Sequence, residues 1–215
     1  MKKVITQISV LLIIAIVMSI CMPCKVSAYD PDLLTCWYSD GYKVGMWMNT
    51  PSFSYETLSA PASSFSNYLS TAYTHAWLKW KQGGKNTTYY GTISETGDIH
   101  CIGGTYAEIY AQANYQLDSS YTAATTYTSS FLSYLDYNGT TKELRTIQSG
   151  VRIYLAEQNY SSTEATDRYK NTMMHELGHA LGWFGHAPSG CIMYAYSSTL
   201  TELSYKDKDH INQIY

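Results

Sequence analysis

Two histidines four residues apart, in His175-Glu176-Leu177-Gly178-His179, constrain this chain more than any other feature. Preceded by Thr172-Met173-Met174 and followed by Ala180-Leu181, the run reads as one helix. Residues four apart on a helix point the same way, so both imidazoles can chelate a single metal ion, with Glu176 beside the metal rather than on it. Gly182 stands three residues after His179, where a helix can stop and turn. His186 follows four residues later and Met193 seven beyond that, within Gly190-Cys191-Ile192-Met193-Tyr194.

This residue set suits one chemistry. Zinc held by three protein ligands keeps an open position, lowers the pKa of its water to about 7 and polarises a scissile carbonyl, while a carboxylate carries the proton to the leaving amine. One zinc ion is therefore the expected cofactor and Glu176 the expected general base. A bare HExxH also arises by chance in amphipathic helices, but here the glycine, the third histidine and the methionine accompany it.

The stretch His175 to His186 followed by Met193 resembles the metzincin clan of metallopeptidases, and within it the matrixin-like secreted enzymes, whose pattern is HExxHxxGxxH with a later methionine-bearing turn. The resemblance covers mainly Thr172 to Tyr215. It extends more weakly to the helix around Ala72 to Trp80, similar to the long first helix of those enzymes, while Leu203 to Tyr215 looks like their C-terminal helix. In that family the glycine turns the chain back, the third histidine completes the ligand set and the methionine forms an apolar floor. Those roles would fall to Gly182, His186 and Met193.

The resemblance implies an α+β fold: a twisted, mostly parallel sheet carrying the Ala62 to Lys81 helix and the active-site helix, then a small irregular lobe ending in a helix. It also implies a zinc metalloendopeptidase that takes a protein or peptide substrate, extended along a sheet edge, in the cleft between the lobes. The family places its third ligand three residues after the glycine, where this chain has Gly185. The expectation is that Trp183-Phe184-Gly185 make a longer loop, Gly185 supplying backbone freedom, so that His186 still reaches the metal. Glu202 is the competing third ligand, by analogy with another zinc-peptidase clan.

Tyr194-Ala195-Tyr196 falls where the family lines its substrate pocket, commonly with proline at the place of Ala195. Either tyrosine can serve the oxyanion or simply pack. His75, His100 and His210 are expected at the surface or satisfied in the core. Two rival functions share the metal pattern: an inactive secreted zinc-binding or adhesion protein, for which Glu176 would be dispensable, and an amidase acting on cell-wall peptides.

The amino terminus places the protein outside the cell. Lys2 and Lys3, the apolar run Val10 to Ile20 and the small residues of Val26-Ser27-Ala28 read as a cleaved secretory signal, so residues 1–28 leave and the mature chain begins near Tyr29. The run is short of the roughly 20 apolar residues a spanning helix needs, so no stable membrane insertion is expected after cleavage. The formal net charge of −3 becomes −6 once Lys2, Lys3 and Lys25 are gone, since no acidic residue lies in the signal. That argues against a nucleic-acid partner. The rest is one domain's worth of chain, expected to be a monomer.

Cys36, Cys101 and Cys191 survive in the mature chain, an odd number that reads as one disulfide and one free thiol, with the pairing open. Whether the short segment from Tyr29 to about Tyr42 confers latency, with Asp30, Asp32 or Cys36 capping the zinc, is left open by the sequence. Calcium dependence is not readable.

The rest of the chain supplies coarse structure. Lys43 to Asn49 reads as a strand ended by Thr50-Pro51. Apolar residues from Phe65 to Trp80 recur at three- and four-residue steps, which predicts a helix over Ala62 to Lys81 stopped by Gly83-Gly84. From Thr87 to about Tyr160 strands are predicted, including Thr105 to Tyr115 and Val151 to Leu155, with turns at Gly103-Gly104 and Asn138-Gly139. Ser129 to Leu135 fits either a strand or a helical turn. Asn86, Asn138 and Asn159 sit in glycosylation acceptor patterns.

Overall fold

The structure, a computed structural model, describes residues 45–47, 50–58, 63–82, 88–89, 97–113, 122–137, 140–183, 185–187 and 189–214. They belong to one compact unit, Asp32–Tyr215. The signal segment, Cys36, the Gly83-Gly84 stop and the Asn138-Gly139 turn lie outside the described residues.

The three- and four-residue spacing of apolar residues after Ala62 forms the long helix α1 (Ser63–Gln82), with Phe65, Leu69, Ala72, Tyr73, Ala76 and Trp80 buried along one side. That side packs on the helix that carries His175 and His179 and on a mixed, mostly parallel open sheet. The strands are β1 (Gly45–Trp47), β2 (Ser52–Thr57), β3 (Thr88–Tyr89), β4 (Ile99–Gly104), β5 (Ala123–Tyr137) and β6 (Thr140–Ala156). β3, β2, β4 and β6 neighbour one another in parallel, β1 pairs in parallel with the first part of β6, and β5 runs antiparallel along β6.

Alternation along the strands divides the core. Ile99 and Cys101 of β4, with Val151, Ile153 and Leu155 of β6, face the helices α1 and α3 (Ala165–Ala180). Ile102, Tyr154 and Ala156 face the other way and pack with Ile109 of the short helix α2 (Tyr106–Gln112). β4 is buried at every residue because both faces are covered. Among the described residues after α3, no further helix or strand is formed until α4 (Tyr205–Ile214). Among the described residues no helix is long and apolar enough to cross a membrane.

Three expectations about local structure change. Thr105 to Tyr115 is not a strand: Tyr106–Gln112 is helical, started by a capping box in which Glu108 N–H donates to the Thr105 hydroxyl and Thr105 N–H donates to the Glu108 carboxylate. Gly103 and Gly104 are not a turn but the end of β4, and a Cβ at Gly103 would stand 2.4 Å from Leu69 Cδ2, so the absent side chain admits α1. Strand β1 ends before Thr50-Pro51, as expected, and β2 begins directly after them. Cys101 and Cys191 are both free and buried, so no disulfide joins them: one lies in the sheet and the other in the loop before Met193. The ambiguous Ser129 to Leu135 lies within β5, whose Tyr137 pairs opposite Thr140 of β6.

Candidate metal centre

α3 ends where its sequence predicts. Gly182, at φ 110°, is the left-handed residue after the last turn: its N–H donates to His179 O and the Trp183 N–H reaches back to Gly178 O. This 5→2 and 6→1 pair is the Schellman arrangement, and glycine takes that backbone conformation without a Cβ clash. Side chains from elsewhere satisfy other carbonyls of this helix. The Tyr127 hydroxyl donates to His179 O, Trp47 Nε1–H to Ala180 O and Trp80 Nε1–H to Met174 O. The helix is thereby tied to β5, β1 and α1.

The reversal brings His186 back to the helix. One ring nitrogen from each of His175, His179 and His186 lies within 4.8 Å of the others, a group that can hold a metal ion. The Nε2 atoms of His175 and His179 are 3.0 Å apart. Each of these rings has its other nitrogen engaged, His175 Nδ1 with Ile192 O at 3.0 Å and His179 Nδ1 with Trp183 O. A carbonyl only accepts, so both Nδ1 atoms carry the proton and both Nε2 atoms present lone pairs to one point. Two lone pairs that close repel unless a cation lies between them. At Zn–N bonds of 2.0–2.1 Å, tetrahedral ligands stand about 3.3 Å apart, so the pair fits such an ion.

Electrostatics agree with neutral imidazole ligands. Burial lowers the pKa of His175, while the Ile192 carbonyl acts in the opposite sense. Burial, then the neighbouring His175, lowers that of His179 well below the ordinary value. His186 is also lowered, by partial burial and by His175. Neutral imidazole is the form that binds a metal.

Glu176 is buried, and burial pushes its carboxyl up to about 7, opposed by a hydrogen bond from Thr125. The Thr125 hydroxyl lies 2.6 Å from Glu176 Oε2 and 3.0 Å from Glu176 O. Below the helix, Met193 is fully buried against Gly178, where an added Cβ would stand 2.3 Å from Met193 Sδ. The loop carrying Met193 is held in turn by Asp207 of α4. Its buried carboxylate accepts from the N–H groups of Ile192 at 3.1 Å, Met193 at 3.4 Å and Ser204 at 2.8 Å. Ile192 thus links Asp207 on one side of its peptide to His175 on the other.

Of the residues singled out in the sequence, His175, His179 and His186 come together, Glu176 lies on the same helix as the first two with its carboxylate bonded to Thr125, Gly182 follows the last turn of that helix, and Met193 packs against Gly178. Glu202 does not join them: it is exposed and pairs with Lys79 at 2.5 Å. Tyr194 and Tyr196 are in ring contact at 5.4 Å, Tyr196 being 72% exposed. His75 donates from Nε2 to Thr201 O, and His100 is buried between Ser54 and Glu56, so both are satisfied as expected. The His210 side chain lies outside the description. Sequence reading missed Thr125, Tyr127, Gly178 and Asp207. Only Asp207 had a local signal, Ser204-x-x-Asp207 at the start of a helix, where each side chain bonds the other residue's N–H.

No protein-family model matches the chain, and no curated protein matches it. The fold and the site define the class: an α+β protein with a three-histidine group able to hold a metal ion.

Proposed function

We propose that the protein is a secreted zinc-dependent endopeptidase of the metzincin kind, close in plan to the matrixin-like enzymes. The observation that carries this reading is the convergence of His175, His179 and His186 on one point with Glu176 on the same helix. When bound, zinc supplies a Lewis acid for the scissile carbonyl and acidifies a water. Glu176 takes the proton from the attacking water on the carboxylate oxygen that Thr125 leaves free, and delivers it to the leaving amine as the peptide C–N bond breaks. Among the described residues β5 pairs with β6 alone, which supports an extended peptide adding along its other edge.

The test compares wild type with Glu176→Gln and His186→Ala for zinc content and for hydrolysis of an unstructured protein. Glu176→Gln is expected to keep one zinc and lose about 10²- to 10⁴-fold in kcat, the usual worth of a general base. His186→Ala is expected to lose zinc affinity by at least ~10-fold. Wild-type zinc binding and turnover in His186→Ala would remove His186 from the ligand set, and a zinc-loaded wild type that cleaves nothing would leave a binding protein.

A further inference from the structure

Thr125 stands near the start of β5, opposite Ile153 of β6, and Tyr127 is two residues on, so both side chains leave the same face of the strand. Both reach α3. Tyr127 bonds the carbonyl of His179, a contact that docks the strand on the helix. Thr125 does something different, because both acceptors near its hydroxyl belong to one residue: the carbonyl of Glu176 at 3.0 Å and its Oε2 at 2.6 Å. A threonine hydroxyl has one hydrogen. The shorter contact lies in the range of a charge-assisted O–H···O⁻ bond, so the hydrogen belongs on the carboxylate.

The consequence concerns aim. A glutamate side chain has three rotatable bonds, and holding it in one rotamer costs conformational entropy. Thr125 ties the far end of that side chain to a strand that is itself stiff at χ1, threonine being β-branched. One carboxylate oxygen is thereby occupied and the other left for chemistry.

We infer that Thr125 is a positioning residue for the general base, its hydroxyl holding Glu176 Oε2 so that Oε1 is the oxygen that exchanges the proton. The inference rests on the peptidase reading above. In the step it serves, an Oε1–H bond forms as a water O–H bond breaks, and that proton then leaves to the amine; the Thr125 hydrogen stays on its own oxygen throughout.

The experiment uses the full mature chain loaded with zinc and measures kcat and KM on an internally quenched peptide, the zinc Kd by chelator competition, and Tm. The variants are Thr125→Val, which keeps the shape without the hydroxyl, Thr125→Ser, which keeps the hydroxyl, Glu176→Gln, and the double variant Thr125→Val with Glu176→Gln. Thr125→Val is expected to lower kcat about 10- to 100-fold, as loss of an orienting partner does, with KM and zinc Kd within about 2-fold of wild type. Thr125→Ser should recover most of the rate, and the double variant should be no slower than Glu176→Gln alone, since a residue acting through Glu176 has nothing left to position.

Wild-type kcat in Thr125→Val overturns the inference. So does a rate loss that tracks lost zinc or a lowered Tm and is equally large in Thr125→Ser, which would make the residue structural. Equal activity in wild type and Glu176→Gln, or none in either, instead overturns the peptidase reading and this inference with it, a pattern distinct from the other two.

Discussion

A Cβ placed on Gly178 would meet Met193 Sδ at 2.3 Å and the rigid ring of Trp80 at 2.8 Å. Two effects oppose each other in Gly178→Ala. Replacing glycine within a helix stabilises by about 0.5–1 kcal/mol, whereas forcing a methyl into a filled core costs about 1–3 kcal/mol. Because one of the two obstructing groups is an indole that cannot fold away, the steric term should prevail. Gly178→Ala is expected to destabilise the protein by about 1–2 kcal/mol, read as a lower urea midpoint at unchanged m-value. An unchanged or raised midpoint would mean that Met193 yields without cost. Gly178 was invisible as a constraint in the sequence, where it is one of two free positions between the histidines; its size limit comes from a methionine fifteen positions away. His175 and His179 are the contrasting case, because a four-residue step on a helix already puts them on one face.

At the level of elements, helix α2 shows how local chemistry overrides a periodicity read too broadly. The Tyr-rich stretch from Thr105 was expected to be a strand, yet Thr105-x-x-Glu108 is a capping box and Ile109 is the buried residue that docks the helix on the sheet. Thr105→Ala should cost about 1 kcal/mol of stability, the usual worth of an N-cap, while Thr105→Ser should cost little. Chemical denaturation of both variants checks this; equal loss in the two would put the effect in the methyl group rather than the hydroxyl. The opposite error occurred at Gly103-Gly104. Those residues look like a turn, but they are strand because α1 presses Leu69 against the backbone there.

For the whole molecule, the histidine cluster is where several elements are joined. Helix α3 is tied to the sheet through Thr125 and Tyr127, and α4 and the loop before it are tied to His175 through Ile192 and Asp207. A metal bound only by the native arrangement adds RT ln(1 + [L]/Kd) to stability, about 4 kcal/mol at a thousandfold excess over Kd. On the proposed reading, stripping zinc with a chelator should therefore lower Tm by several degrees, and restoring zinc should recover it. A Tm indifferent to chelation in a protein shown to hold zinc would mean that the unfolded chain binds the ion as well.

The sequence by itself determined whatever depends on neighbours along the chain. The helix over Ser63–Gln82, the paired histidines of α3 and its stop at Gly182 all follow from spacing and from the conformational freedom of glycine. Tertiary structure alone decided which strand lies beside Glu176, what fills the space under Gly178, and that His186 rather than Glu202 completes the cluster. The reason is that register and docking are sums of many weak contacts between segments remote in sequence. Thr125 and Glu176 stand 51 positions apart, and no spacing rule spans that distance.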